Sequence, residues 1–149
     1  WRREYESEGL KRAKNFTSIN FPILRYSDVL LMVAECENET NAAPTKLAYD
    51  CINNVRRRAN IALIPENSMN TEQFRQAVKD ERAMELCFEM TRHWDLIRWG
   101  IYLPAMNALG GSDEAGNVKE RSEKHLLFPI PVLEVLTNKG ITANNPGWN

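Results

Sequence analysis

Residues 23–38 read ILRYSDVLLMVAECEN, the most strongly apolar helical pattern of the chain. Its hydrophobic residues follow a helical pattern, and the run from Val29 to Ala34 is apolar around nearly the whole circumference of a helix. That distribution is typical of a helix that packs against neighbours on several sides. The pattern therefore predicts a central helix over residues 23–38.

A second helix follows after a short break. Residues 41–44 interrupt the helical pattern, and Thr45 opens a new helix. One face of this helix gathers apolar side chains: Leu47, Ala48, Cys51, Ile52, Val55 and Ala59. The two helices form an αα-hairpin similar to a tetratricopeptide unit, although one hairpin shows no internal repeat.

A long charged helix is expected after the hairpin. Residues 64–70 predict a loop, and either Asn70 or Thr71 can cap the helix that follows. The helical stretch then runs towards Trp99, and Gly100 is its expected terminator. The chain is therefore expected to be all-α.

The remaining residues predict a surface loop and a short ending. Residues 104–124 are polar and Gly-rich, with Gly110–Asn117 at their centre. The prolines of residues 126–131 enforce an extended path. A short helix and a turn at residues 145–148 then close the chain.

The composition is typical of a soluble globular protein, and we expect one domain over residues 1–149. Hydrophobic residues make up 43% and charged residues 26% of the chain. The net charge of −1 provides no excess of positive charge for binding the phosphates of nucleic acid. We interpret the basic run Arg56–Arg58 as part of a helix. No apolar stretch is long enough to span a bilayer, and residues 1–5 form neither a signal peptide nor a lipidation site. We therefore expect any export or anchoring signal to lie upstream of this fragment.

The cysteines Cys36, Cys51 and Cys87 include no Cys-x-x-Cys pair, which argues against a zinc site. Cys36 and Cys51 lie symmetrically about the turn at residues 42–44, so an antiparallel helix pair would place them at the same level. We interpret both as small core thiols, and a disulfide between them is the alternative.

Carboxylates fall on the apolar face of the long helix. At about 3.6 residues per turn, Glu81, Glu85 and Glu89 share one face with Arg92 and with apolar residues. These are Phe74, Ala77, Val78, Phe88, Leu96 and Trp99. Because buried unpaired carboxylates are costly, we predict an ion-pair network with arginine partners. The available arginines are Arg82, Arg92 and Arg98 in the helix, and Arg25 and Arg56–Arg58 in the hairpin.

Three functional interpretations compete with the ion-pair network. Two carboxylates can be the acid and base of a glycosidase, although that needs an open cleft and nearby arginines would neutralise them. A metal site would draw on Glu89, His93 or His125, but Glu89 and His93 are spaced i, i+4 instead of i, i+3. The same groups can also form a surface for an acidic or sugar ligand. The network is the favoured interpretation, with no catalytic residue and no metal.

Trp94 and Trp99 are candidates for stacking on a sugar. Because they are five residues apart on a helix, they point in different directions, and the neighbouring Leu96 and Ile97 favour core positions. Trp94 and the loop Gly110–Asn117 are the alternative ligand contacts. No nucleotide-binding glycine loop, Ser/His/Asp order or catalytic-cysteine signature is visible, so we predict a protein without catalysis or cofactor.

Several segments, in this order, resemble the C-terminal region of the SusD/RagB family. Residues 21–35 are similar to its Leu-Arg-Tyr-Ala-Glu-Val-Leu-Leu run, and residues 52–59 to its Ile-Asn-x-Val-Arg-x-Arg-Ala helix. The most specific block is residues 81–100, which ends in Asp-Leu-Ile-Arg-Trp-Gly. Leu-Phe-Pro-Ile-Pro at residues 127–131 and Asn-Pro-Gly-Trp at residues 145–148 match the family's ending. The matches span almost the whole chain.

Two residues depart from the family pattern. Met90 stands where the family has Gly after Phe-Glu, which leaves open whether the long helix breaks there, and Asn144 replaces Gln before Asn-Pro. Family members are also considerably longer, with a lipid-anchored N-terminal region and further tetratricopeptide-like helices. The resemblance implies an all-α fold of tetratricopeptide-like hairpins with long loops. It assigns no residue of this chain to a ligand.

The resemblance also implies a function. It points to a non-enzymatic component of a SusC/SusD-like uptake system that binds a nutrient, foremost a polysaccharide or oligosaccharide. Such a protein is an outward-facing lipoprotein of the cell outer membrane, of Bacteroidetes type, and its partner is a SusC-like TonB-dependent transporter. The runner-up is a helical protein-interaction module that contacts the transporter without binding the nutrient. This alternative predicts an exposed apolar groove and no saccharide affinity.

Overall fold

The computed structural model describes residues 22–111 and 120–148, and the regular elements in these stretches are all helical. They are α1 (Tyr26–Thr40), α2 (Lys46–Arg58), α3 (Thr71–Glu85), α4 (Arg92–Arg98), α5 (Tyr102–Ala108) and α6 (Val132–Thr137), with a 3₁₀ turn at Glu123–Leu126. The predicted all-α class is confirmed. α1 begins and ends slightly later than predicted, because Arg25 before it is extended.

The chain divides into two compact units, residues 1–85 and residues 86–149. The first contains α1 to α3 and the second contains α4 to α6. A single domain over residues 1–149 stays a prediction. Among the described residues, no helix combines the length and apolarity needed to cross a membrane.

α1 is the centre of the first unit, as predicted, because it packs against both α2 and α3. The core of this unit consists of Leu31, Ala34, Ala48, Tyr49, Cys51, Ile52, Val55, Ile64, Phe74 and Val78. Within it the Tyr49 and Phe74 rings meet edge-to-face, with centroids 4.8 Å apart. Val29 and Met32 remain 37% and 42% exposed, so α1 is not packed around its whole circumference.

Side-chain caps set the starts of α2 and α3. Thr45 Oγ1 accepts a hydrogen bond from the Ala48 amide at 3.2 Å. Before α3, the Gln73 amide donates to Asn70 Oδ1 at 2.9 Å, and the Asn70 amide donates to Gln73 Oε1 at 3.0 Å. This reciprocal pair is a capping box. Of the two predicted caps for α3, Asn70 is the one that the structure uses.

The predicted single long helix is wrong, because α3 ends at Glu85 and α4 is a separate helix. Between them Phe88 and Met90 have φ angles of 65° and 63°, which are left-handed and interrupt a right-handed helix. Met90 therefore takes a conformation that suits the glycine of the family pattern. The local sequence of residues 86–90 contains neither Gly nor Pro, so residue type alone does not account for the break.

The loop expected over residues 104–124 begins later than predicted. Gly100, with a φ of 69°, ends α4 as predicted. α5 then follows, with Pro104 in its first turn, where a missing amide hydrogen is tolerated. Residues 112–119, which include most of the loop Gly110–Asn117, lie outside the described residues.

The end of the chain follows the predicted course. An extended segment leads into α6, and the turn at residues 145–148 is closed by the Trp148 amide, which donates to the Asn145 carbonyl at 3.0 Å. The Trp148 indole donates to the carbonyls of Lys124 and Leu127 at 2.8 and 3.0 Å. These bonds tie the last turn to the segment around the 3₁₀ turn.

The three cysteines are free. Cys51 lies in the core at 5% exposure, whereas Cys36 is exposed on α1. The prediction of two core thiols is therefore right for Cys51 and wrong for Cys36, which lies off the face that Leu31 and Ala34 bury. Burial raises the pKa of the Cys51 thiol and keeps it protonated at neutral pH.

Replacing Met90 with Gly is expected to raise the free energy of unfolding by about 1 kcal/mol, because a left-handed conformation costs an L side chain roughly that much. Little packing is lost, since Met90 is 79% exposed. Chemical denaturation measures the change. Met90→Ala is the matched control, because it shortens the side chain without relieving the backbone. If Met90→Gly were no more stable than Met90→Ala, strain at this position would be refuted.

Candidate functional site

Two carboxylates of α3, those of Glu81 and Glu85, are buried and paired with arginines from other segments. The side chains of Glu81 and Glu85 are 3% and 7% exposed. Arg56 pairs with Glu81, and Arg25 and Arg58 both pair with Glu85. Arg25 Nη1 lies 3.0 Å from Glu85 Oε1, and its Nη2 donates to the Glu85 carbonyl at 2.9 Å. The predicted ion-pair network is confirmed for these two glutamates.

Two further aspartates, Asp28 and Asp95, also belong to ion pairs. Arg82 Nη1 lies 2.8 Å from Asp28 Oδ1 on α1, and the two side chains are only 3% and 8% exposed. In the second unit, Arg98 Nε lies 2.9 Å from Asp95 Oδ1. The Arg82 pair links α3 to α1 inside the first unit, so it fixes how these two helices meet.

The continuous face predicted along residues 74–99 does not exist, because α3 ends before it is complete. Glu89 falls in the break between α3 and α4. Arg92 is exposed, with its guanidinium carbon 5.6 Å from the centroid of the half-buried Trp99. Phe88, predicted on the core side, is 97% exposed. The helix break therefore accounts for these errors.

The protonation of Glu85 argues against acid catalysis. Burial acts to raise the pKa of this carboxyl, but the neighbouring Ser27 side chain, the hydrogen bonds of Arg25 and the charge of Arg58 hold the pKa below its ordinary value. The general acid of a glycosidase needs the opposite shift, because it must keep a proton near neutral pH. Glu85 is therefore an ionised structural group.

The two histidines have local structural partners. His93 contacts aromatic rings, and His125 Nδ1 accepts a hydrogen bond from the Ser122 amide at 2.9 Å. In residues 22–111 and 120–148, no group of three or more His, Cys, Asp or Glu side chains is placed to hold a metal ion.

A pair of exposed aromatic rings forms the candidate ligand surface. Trp94 and Phe128 are 57% and 64% exposed, and their ring centroids lie 6.0 Å apart. His93 stands edge-on to Trp94 with centroids 5.1 Å apart, and edge-on to the buried Tyr102 at 4.9 Å. The predicted core position of Trp94 is wrong, because Leu96 takes the buried side of this short helix.

Phe128 was missed by sequence reasoning because nothing in the pattern links it to α4. Hydrogen bonds from the chain end hold its segment in place. Asn145 Nδ2 donates to the Phe128 carbonyl at 2.6 Å. Asn144 Oδ1 accepts a hydrogen bond from the Ile130 amide at 2.7 Å, and Asn144 Nδ2 donates one to the Ile130 carbonyl at 3.2 Å. The Asn-Pro ending was the one available signal that this segment is fixed.

Replacing Arg82 with Met is expected to lower the free energy of unfolding by about 3–5 kcal/mol, because it leaves Asp28 as a buried, unpaired carboxylate. Urea denaturation measures the loss. Lys46→Met is the matched control: Lys46 pairs with Asp50 at 2.6 Å on the surface, where solvent screens the charges and an ion pair contributes little. Similar losses in both variants would contradict a special role for the buried pair.

Glu85 should make stability depend on pH. Its folded pKa is below the ordinary 4.5, so its stabilising effect is complete above that value and lost as the pH falls through the folded pKa. Glu85→Gln should therefore destabilise the protein at neutral pH, and the difference from the wild type should shrink in acid. Denaturation at a series of pH values measures this, with the exposed Glu66→Gln as control. A difference that does not change with pH would refute the linkage.

Comparison with known proteins places the sequence among SusD-like proteins. The model of the SusD family matches residues 3–148. The SusD-like protein P25 of Formosa agariphila is 40% identical over 137 residues, which cover 88% of this chain and 25% of that protein. SusD-like protein P2 of the same organism is 28% identical over 138 residues. The chain thus spans about a quarter of the length of these curated relatives.

Solved structures share the fold. A SusD homologue from Bacteroides thetaiotaomicron is 33% identical, with a TM-score of 0.69 over 91% of this chain and 30% of that one. A SusD-like carbohydrate-binding protein from Bacteroides fragilis is 30% identical, with a TM-score of 0.61 over 76% of this chain and 27% of that one. The predicted resemblance and the tetratricopeptide-like helical fold are confirmed. Because the family model matches nearly every residue, the chain belongs to the SusD family.

Proposed function

We propose that this chain is part of a non-enzymatic protein that binds a nutrient, foremost a glycan, for uptake at a bacterial outer membrane. The observation that supports this most is the match to the SusD family over residues 3–148. The relative from Bacteroides fragilis is described as a carbohydrate-binding protein, which favours a glycan as the nutrient. The protein faces outward, is held by a lipid anchor, and delivers its ligand to a SusC-like TonB-dependent transporter.

The charged residues favour binding over catalysis. Glu81 and Glu85, the buried carboxylates of α3, are paired with arginines. A carboxylate held in this way is neither a proton donor nor a free nucleophile. Exposed side chains, not these carboxylates, therefore bind the glycan.

The second candidate function is a protein-interaction module that contacts the transporter. The observation that favours it is the apolar surface of α6, where Val132, Leu133 and Leu136 are 72%, 73% and 77% exposed. Val132 and Leu136 line a groove of about 310 Å³ together with Ala143 and Trp148. Exposed aliphatic side chains of this kind suit a protein partner better than a sugar.

The intact protein that contains this chain is expected to bind oligosaccharides saturably and to leave them uncut. Calorimetric titration against a panel of soluble plant and host glycans measures binding, and reducing-end assays on the same mixtures measure cleavage. New reducing ends would overturn the non-enzymatic role. Absence of binding to every glycan, together with retention of a co-expressed transporter, would favour the interaction module instead.

A further inference from the structure

We infer that the exposed faces of Trp94 and Phe128 form a stacking surface for one pyranose ring of a bound glycan. This inference rests on the proposed function and names the site within this chain that serves it. The two rings come from distant parts of the sequence and meet in the second unit, with centroids 6.0 Å apart.

The exposure of these rings needs an explanation. Large aromatic side chains contribute most of their stabilisation when they are buried, yet Trp94 and Phe128 are 57% and 64% exposed. They are also neighbours, so the exposed apolar area is continuous. A ligand that covers both rings removes this area from water.

The chemistry of the surface fits a sugar ring. The face of an aromatic ring is the negative part of its quadrupole. The C–H groups on one face of a pyranose carry a small positive charge and attract it, while equatorial hydroxyls point outward and keep their water. The ring planes are tilted by 58°, so a sugar lying flat on the indole of Trp94 meets Phe128 with its edge. Sugars with equatorial substituents on the stacked face are therefore the expected class.

The surface is held in place before any ligand arrives. His93 stands at 82° to both Trp94 and Tyr102, and Tyr102 is only 7% exposed, so the indole is supported from a buried ring. On the other side, Asn145 fixes the Phe128 carbonyl at 2.6 Å. A preorganised surface loses less conformational entropy on binding than a mobile one.

The test uses the intact protein and three probes: cellohexaose, xylohexaose and maltohexaose. Calorimetry is expected to show that Trp94→Ala and Phe128→Ala weaken the tightest-binding probe about tenfold. Trp94→Tyr, which keeps an aromatic face, should retain most of the affinity. Phe88→Ala is the matched control for Phe128→Ala, because Phe88 is 97% exposed and lies outside the surface.

Two results would overturn the inference while leaving the proposed function intact. One is unchanged affinity in Trp94→Ala and Phe128→Ala when the wild type binds a probe. The other is that acrylamide quenches tryptophan fluorescence equally in the unliganded wild type and in Trp94→Phe, which would mean that the indole is covered in the intact protein. Failure of the wild type to bind any glycan would instead remove the proposed function and this inference together.

Discussion

The packing of the first unit depends on carboxylates that lie inside it. Asp28 on α1, Glu81 and Glu85 on α3 are almost fully removed from water, and each is met by an arginine. These pairs join α3 to α1, to α2 and to the segment before α1. A buried charge without its partner costs several kcal/mol, so an arrangement of the three helices that separates these pairs is disfavoured. The charges thereby specify how the helices meet, while the apolar core supplies most of the stabilisation.

The residues that form the buried ion pairs are also distinct from those that we propose to bind a ligand. The buried carboxylates are paired with arginines within the fold and lie out of reach of a ligand at the surface. Ligand recognition is left to surfaces that the ion pairs do not use. In the second unit these are the aromatic pair Trp94 and Phe128 and the aliphatic face of α6. The aromatic surface suits a sugar and the aliphatic surface suits a protein, so the two candidate partners need not compete for one site.

Periodicity and capping chemistry were enough to predict the hairpin and the start of the third helix. The apolar pattern located α1 and α2, Thr45 was predicted to open α2, and Asn70 was one of two predicted caps for α3, because such side chains can bond the first free amides. Because buried glutamates on α3 must be neutralised, arginine partners from the hairpin were predicted, and this prediction was correct. The family resemblance was also visible in the spacing of short motifs.

The features that escaped prediction are not encoded by local residue type. Phe88 and Met90 break the helix in left-handed conformations, although neither residue type favours them. Once the helix breaks, helical-wheel positions beyond Glu85 no longer apply, so Phe88 lies on the surface. Trp94 is also exposed, because Leu96 takes the buried side of α4. Its contact with Phe128 joins residues far apart in the chain, which no local pattern encodes.

The most direct test of the account is a crystal structure of the intact protein with a bound oligosaccharide. We expect a sugar ring against the Trp94 indole, with Glu81 and Glu85 still paired with their arginines. A sugar bound beside these carboxylates, with the arginine pairs opened, would contradict the division between an ion-paired scaffold and an aromatic binding surface.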